Sequence, residues 1–261
     1  MSTTDCIIGL FSRVDLVLGH LPKHPHARLY PSEIVTLALL FALKGGSGRA
    51  FYRWLRRDYA AFFPGLPERT RLFRLFAAHQ DWAAYFLADP TTLGVIDSYG
   101  IELVHPWRQD RTDGQLGTKA LSNHRWIIGG KLVYLGNQLG QIVAWDWATA
   151  HVPDNAFHGL IAEFADDMII LSDTGFHAKA GDPPNLKVCK RGTWNVRMLV
   201  EQVLSMLTTV CHLKKVRHRT WTGFTMRLAF TLALFNLLVD WDGVRAAHDG
   251  TIHLSMAQFS L

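Results

Sequence analysis

A chain of 261 residues, 49% of them hydrophobic and with a net charge of +5, can bury one large core or two modest ones and is too apolar to stay disordered. Its three cysteines (Cys6, Cys189 and Cys211) are unevenly spaced, which excludes a disulfide framework or a cysteine zinc motif. No secretory signal is read ahead of Asp5, so a reducing cytoplasm is the expected compartment. The longest apolar runs, residues 34–43 and 228–239, are shorter than the roughly 18 to 20 residues of a membrane span. They read as buried helices, and no membrane partner is expected.

Residues 1–90 carry eleven bases against seven acids and read as a helical region suited to binding DNA. Pro31, Ser32 and Glu33 open an apolar-periodic run, with Ser32 as the expected N-cap and Glu33 in the first turn. Lys44 followed by Gly45, Gly46 and Gly48 closes it. The next predicted helix, up to Pro64, interleaves Arg49, Arg53, Arg56 and Arg57 with aromatic residues at helical spacing. Phe51, Trp54, Leu55, Tyr59 and Phe62 are predicted to face inward and the arginines outward. An exposed arginine face of this kind suits the phosphate backbone of DNA, so Arg53, Arg56 and Arg57 are candidate DNA-binding residues. A further helix after Pro67 carries Arg69, Arg71 and Arg74.

From about residue 91 the pattern becomes β, and the charge reverses: six bases against eleven acids between residues 91 and 186. Residues 92–97 form a short apolar run ending in Asp97. Residues 106–125, rich in Gly, Asp, Arg and Thr, read as a mobile loop. Two runs, 126–135 and 141–148, flank the glycine-bearing stretch 136–140 and predict a hairpin. A helix is expected from about 154 to 164, then an apolar strand ending in Asp173, then a short strand at 186–189. A last helix is expected over about 222–238. Strands followed by helices, with an antiparallel hairpin between them, imply an α/β fold: a mixed sheet flanked by helices, with the helical region before it. The expected divisions are 1–90, 91–240 and a C-terminal tail, 241–261.

The segment 187–227 holds nine bases and a single acid, Glu201. Thr193 could cap a helix whose buried stripe is Leu199, Val203, Met206, Leu207 and Val210. Arg197 lies one turn before Glu201 and shares its face, which by itself implies no more than an i,i+4 ion pair. That pair leaves unexplained why only one carboxylate sits in so basic a segment. A metal centre explains it: Mg²⁺ takes hard oxygen ligands, and several carboxylates are needed where phosphate oxygens complete the shell. Asp97 and Asp173 end apolar strands, where side chains can converge on a ligand. Either could equally cap a turn.

Asp97 after Val95 and Ile96, Asp173 followed by Thr174 and Gly175, and Arg197 with Glu201 ahead of Lys215, Arg217 and Arg219 together resemble bacterial insertion-sequence transposases with a DDE triad. The likeness runs over residues 30 to 240, including the segment 148–154 before the predicted helix. It implies an RNase H-like catalytic domain in which Asp97, Asp173 and Glu201 hold two Mg²⁺ ions, with Mn²⁺ able to substitute. In many such enzymes a Tyr, an Arg, the Glu and a Lys recur at fixed spacing. Here those positions hold Trp194, Arg197, Glu201 and Thr208. Lys215 cannot take the last place on a straight helix, because fourteen residues at about 1.5 Å each put it roughly 21 Å away. Trp194 is a candidate for stacking on an extruded DNA base.

The resemblance implies metal-dependent cleavage at the transposon ends followed by strand transfer. The partners would be double-stranded DNA, both terminal inverted repeats and target, bound by a homodimer on paired ends. Location at the bacterial nucleoid in the cytoplasm follows. Arg197, Lys214, Lys215, Arg217 and Arg219 would hold the DNA near the triad. Two other readings share these residues: a non-catalytic DNA-binding relic or domesticated protein, and an RNase H-like nuclease without strand transfer.

Overall fold

The computed structural model describes residues 1–110, 115–122, 125–189, 196–216, 218–243, 245–246, 252–253 and 257–259. Its N-terminal part is helical, as expected. α1 (Thr3–Leu18) is closed by a capping box, in which Ser2 Oγ accepts from the Asp5 N–H at 3.1 Å and the Asp5 carboxylate accepts from the Ser2 N–H at 3.2 Å. α2 (Pro31–Lys44) starts two residues earlier than a Ser32 cap would require: Tyr30 holds the cap position, and Glu33 accepts from its N–H at 2.7 Å. The physical reason is Pro31, whose ring presets the helical φ and brings no N–H that needs a partner. α2 stops at Gly45, which has φ +66 and lies so close to the His212 ring that a side chain there would collide with it.

α3 (Gly48–Asp58) and α4 (Arg69–Ala78) bury Phe51, Leu55, Leu72 and Phe76. Trp54 and Tyr59 are half-buried, while Phe62 is 41% exposed, against expectation. The α-helix ends at Asp58 and residues 60–62 form a 3-10 turn. Its tighter pitch carries Phe62 off the buried stripe.

The longest element is the last large helix, α7 (Trp221–Asp242), which runs four residues beyond its predicted end and spans about 33 Å. It is apolar and long enough to cross a membrane, yet 89% of its apolar window is buried against α2, α4 and the sheet, as in a core helix. Two polar side chains inside it are explained by their bonds. Arg227 donates to the carbonyls of Phe41 at 2.7 Å, Ala42 at 3.0 Å and Cys211 at 3.0 Å. The first two carbonyls belong to the last turn of α2, where unsatisfied C=O groups and the negative end of the helix dipole stabilise a buried cation. Asn236 accepts from the Ile142 N–H at 2.8 Å and donates to the carbonyls of Ile142 at 2.7 Å and Phe86 at 2.9 Å. A single buried amide thereby fixes α7 to the sheet.

The sheet contains β1 (Leu93–Val104), β2 (Lys119–Ser122), β3 (Arg125–Asn137), β4 (Ile142–Thr149), β5 (Ile169–Ser172) and β6 (Leu186–Val188), in the order β2-β3-β1-β5-β6, with β4 also pairing β3. β1 is antiparallel to β3 and parallel to β5, and β5 is parallel to β6. The β3–β4 hairpin follows expectation. β2 falls within the stretch that reads as a loop in the sequence: four residues between polar neighbours give no alternation to recognise, and pairing with β3 makes the strand. Residues 111–114 and 123–124 of that stretch lie outside the described residues.

Both sheet faces are covered. Ile101, Leu132, Tyr134 and Ile142 join the core formed by the N-terminal helices, α7 and α6 (Val196–Thr209). Ile96, Val133, Leu135 and Ile170 pack on the other side against Phe157, Leu160 and Ile161, around α5 (His158–Ala162). The architecture is therefore α/β, a mixed sheet between helices. In the stretch read as a tail, Phe259 is buried against Trp241, whose ring also lies 3.9 Å from the Arg13 guanidinium of α1.

Replacing Asn236 with Leu strands the Phe86 carbonyl and the Ile142 N–H in the core, while the Ile142 carbonyl keeps its bond from the Ala88 N–H. It should cost roughly 2–4 kcal/mol in urea denaturation, whereas a loss under about 1 kcal/mol would show that these bonds contribute little. Burial, reinforced by the Arg227 charge, lowers the pKa of His218 to about 4. Between that value and about 6.5 the unfolded chain binds a proton that the folded one does not, so stability falls as pH drops through this window. The His218 contribution amounts to about 2 kcal/mol at pH 5. His218→Gln should therefore show a smaller loss of urea midpoint between pH 7 and pH 5 than the wild type.

Candidate active site

The parallel pairing of β1 with β5 matches Leu93 with Ile169, Gly94 with Ile170 and Val95 with Leu171. Asp97 and Asp173 each stand two residues beyond the last of these pairs, Asp97 still within β1 and Asp173 just after β5. Side chains alternate along a strand, so Asp97 shares the face of Val95 in β1. That face is fixed by the partner of Asp97 across β3, Tyr134, which lies in the core shared with α6 and α7. The other face receives Ile96 and Ile170.

Asp97 does not end its strand as the sequence suggests. β1 continues to Val104, because residues 98–104 keep pairing with β3 after the parallel neighbour has stopped. Asp97 is half-buried at that step in the sheet, and Asp173 follows β5 directly and is exposed. One Asp173 oxygen accepts from the Gly175 N–H at 2.9 Å, so the turn-capping role is present. Gly175 is confined: a Cβ there would lie 2.9 Å from a carboxylate oxygen of Asp154 and 3.0 Å from one of Asp173.

α6 packs on β1 and buries Val203, Leu207 and Val210, three of the five residues of the expected stripe; Leu199 and Met206 are half-buried. Glu201 is exposed on its outer side near the N-terminal end. The two sides of the site are linked by Tyr134, whose hydroxyl lies 3.5 Å from the carbonyl of Val200, the residue before Glu201. Burial raises the Tyr134 pKa well above the ordinary phenol value, and the Asp97 charge raises it further, so this hydroxyl stays a donor. Thr208, at the place of the usual lysine, bonds its own helix through the Leu204 and Ser205 carbonyls at 2.8 and 3.1 Å.

The basic residues divide. Lys214 and Arg219 are exposed, and the turn Leu213–Lys215 packs against β1. Arg53, Arg56 and Arg57 are exposed on α3, with Arg57 bound to Asp58 through two bonds of 2.7 and 2.8 Å. Trp194 and Arg217 lie outside the described residues, as do Thr193 and the side chains of Arg197 and Lys215. His177 is bonded to Asp182 at 2.8 Å and lines a loop.

An ion pair with no sequence signal borders the site: Lys131 Nζ lies 2.7 Å from Asp154 and donates to the Val152 carbonyl at 2.6 Å, tying the chain after β4 to the sheet beside Asp173. Among the described residues no three His, Cys, Asp or Glu side chains are gathered closely enough to hold a metal ion. Asp97, Asp173 and Glu201 each carry hard oxygen donors of the kind that suits Mg²⁺.

Ultraviolet titration tests the Asp97–Tyr134 proximity. Tyr134 should ionise well above the ordinary phenol range, and Asp97→Asn should lower its midpoint; an unchanged midpoint would place the Asp97 charge elsewhere. Comparison with known proteins assigns no family to this site: no family model matches the chain, and no curated protein matches it.

Proposed function

We propose that the protein is a metal-dependent DNA transposase of the DDE type, with Asp97, Asp173 and Glu201 as its metal ligands. The observation that carries this reading is the parallel pairing of β1 with β5, which ends at Val95 and Leu171, two residues before Asp97 and Asp173, with α6 packed on β1. The strand order also supports it. A hairpin antiparallel to β1 on one side and two parallel strands on the other is the arrangement expected of an RNase H-like sheet.

Two Mg²⁺ or Mn²⁺ ions bound here would supply Lewis-acid activation of an attacking oxygen and stabilisation of the leaving one. The chain's own residues do the rest. Asp97 is held within β1, whose register cannot slip without reversing both faces, and Asp173 follows β5 directly. Tyr134 seats α6, and with it Glu201, over β1. Lys214, Lys215, Arg217 and Arg219 are positioned by sequence to hold the DNA backbone, with Arg197 beside Glu201 to orient it or touch a phosphate. Arg53, Arg56 and Arg57 extend a cationic surface over the helical region. In this reading the protein acts in the bacterial cytoplasm, at the nucleoid, as a homodimer on paired terminal repeats.

The test uses Mg²⁺ or Mn²⁺ and duplexes carrying the DNA that flanks the gene. Wild-type protein should cleave and join these ends, and Glu201→Gln should lower the rate at least about 100-fold while leaving DNA binding intact. Cutting without joining would identify a nuclease. Binding with neither reaction would identify a non-catalytic DNA-binding protein.

A further inference from the structure

The two basic parts of the chain, far apart in sequence, meet at a cavity of about 460 Å³ away from the carboxylates. α3 and α4 line one side with Arg49, Arg69 and Arg74, and the segment leading into α7 lines the other with His218, Thr220 and Arg227. No acid lines it, and no ion pair among the described residues engages these four arginines. Arg227 is buried and spends its donors on three backbone carbonyls, so its charge reaches the cavity uncompensated by any carboxylate. The first turns of α3, at Gly48, and of α7, at Thr222 and Gly223, also open onto it, and both helix dipoles favour an anion there. Phe41, Phe73 and Met226 supply an apolar floor.

Four cations around an apolar floor describe a ligand that is both strongly anionic and partly apolar. Arginine forks match phosphoryl oxygens with two bonds at a time, and a sugar or base edge can rest on the rings. The cavity continues into a neighbouring groove of about 350 Å³ that shares Arg49, Arg69 and Thr70 with it and adds Arg53, Tyr52 and one acid, Glu68, whose carboxylate caps α4 by accepting from the Arg71 N–H at 3.3 Å. A single small anion would not use that extension, whereas a strand with successive phosphates would.

We propose that this cavity and groove seat consecutive backbone phosphates of a DNA strand, with Arg49, Arg69 and Arg74 as the contacting residues and Arg227 as the fixed charge behind them. The proposal rests on the DNA-processing reading and adds a second DNA-binding surface, separate from the carboxylates, that would hold the duplex while its end is processed. It also gives Arg69 and Arg74 a role distinct from the outer arginine face of α3.

Fluorescence anisotropy with a labelled duplex tests it, measured across a salt series for wild type, Arg69→Ala/Arg74→Ala and Arg49→Gln, with Lys179→Ala as control. Thermal denaturation confirms that each variant is folded. The double variant should bind at least about ten-fold more weakly at low salt. Its plot of log affinity against log salt should be shallower by about 2, one unit for each phosphate that is no longer neutralised. Arg49→Gln should reduce the slope by about 1, and Lys179→Ala should match the wild type. Unchanged affinity and slope in folded double variant and Arg49→Gln protein would overturn the assignment, and Glu201-dependent cleavage in the same preparation would then leave the enzymatic reading intact. Weakened binding by these variants without any cleavage by the wild type would uphold the cavity and sink the enzyme. A wild type that binds no duplex at any salt would sink both.

Discussion

The parallel pairing of β1 with β5 is the constraint on which the candidate site depends. Three residue pairs set its register, and a shift of β1 by one residue would move Asp97 to the opposite face. Slippage is opposed from both sides, since each face of the sheet is packed: Ile96 and Ile170 into the smaller core, Ile101 and Tyr134 into the larger. Burial of both faces is the normal condition of parallel strands, and here it has a chemical consequence. The hydrophobic pattern on the two faces fixes which side of the sheet Asp97 presents.

The larger core explains how the helical region becomes part of the same unit. α7 threads between α2, α4 and the sheet, and its few polar side chains are its fixings. Arg227 ties it to the end of α2 and to Cys211, and Asn236 ties it to β4 and Phe86. Burying a guanidinium without a carboxylate would be costly in an apolar setting. The carbonyls at the end of α2 offset that cost and leave a net positive charge near the surface cavity. The fold thus brings the basic residues of the first ninety positions against those that follow α6.

Much of this is legible in the sequence, and the failures have physical causes. The buried stripe of α6 and the apolar strands ahead of both aspartates follow directly from helical and two-residue periodicity. Asp97 reads as a strand end because local sequence shows where apolar residues stop, whereas the strand is prolonged by pairing with β3, a long-range effect. β2 is invisible for the same reason. Ser32 yields the cap to Tyr30 because Pro31 sets the helix start. Nothing in the sequence marks the Lys131–Asp154 pair, which joins residues brought together only by the β3–β4 hairpin. Arg227 does carry a signal, a lone cation at the edge of an apolar run, but its partners on α2 lie 186 and 185 residues away.

The claim that Asp97, Asp173 and Glu201 form one metal centre is tested most directly by counting bound metal. Electron paramagnetic resonance of Mn²⁺, titrated into protein saturated with its flanking duplex, reports bound ions without requiring turnover. The account predicts that the wild type retains Mn²⁺ and that Asp97→Asn, Asp173→Asn and Glu201→Gln each weaken its binding, the two aspartate changes at least about ten-fold. Wild-type Mn²⁺ affinity in Asp97→Asn and Asp173→Asn would contradict it, because the two aspartates would then not be holding a metal together.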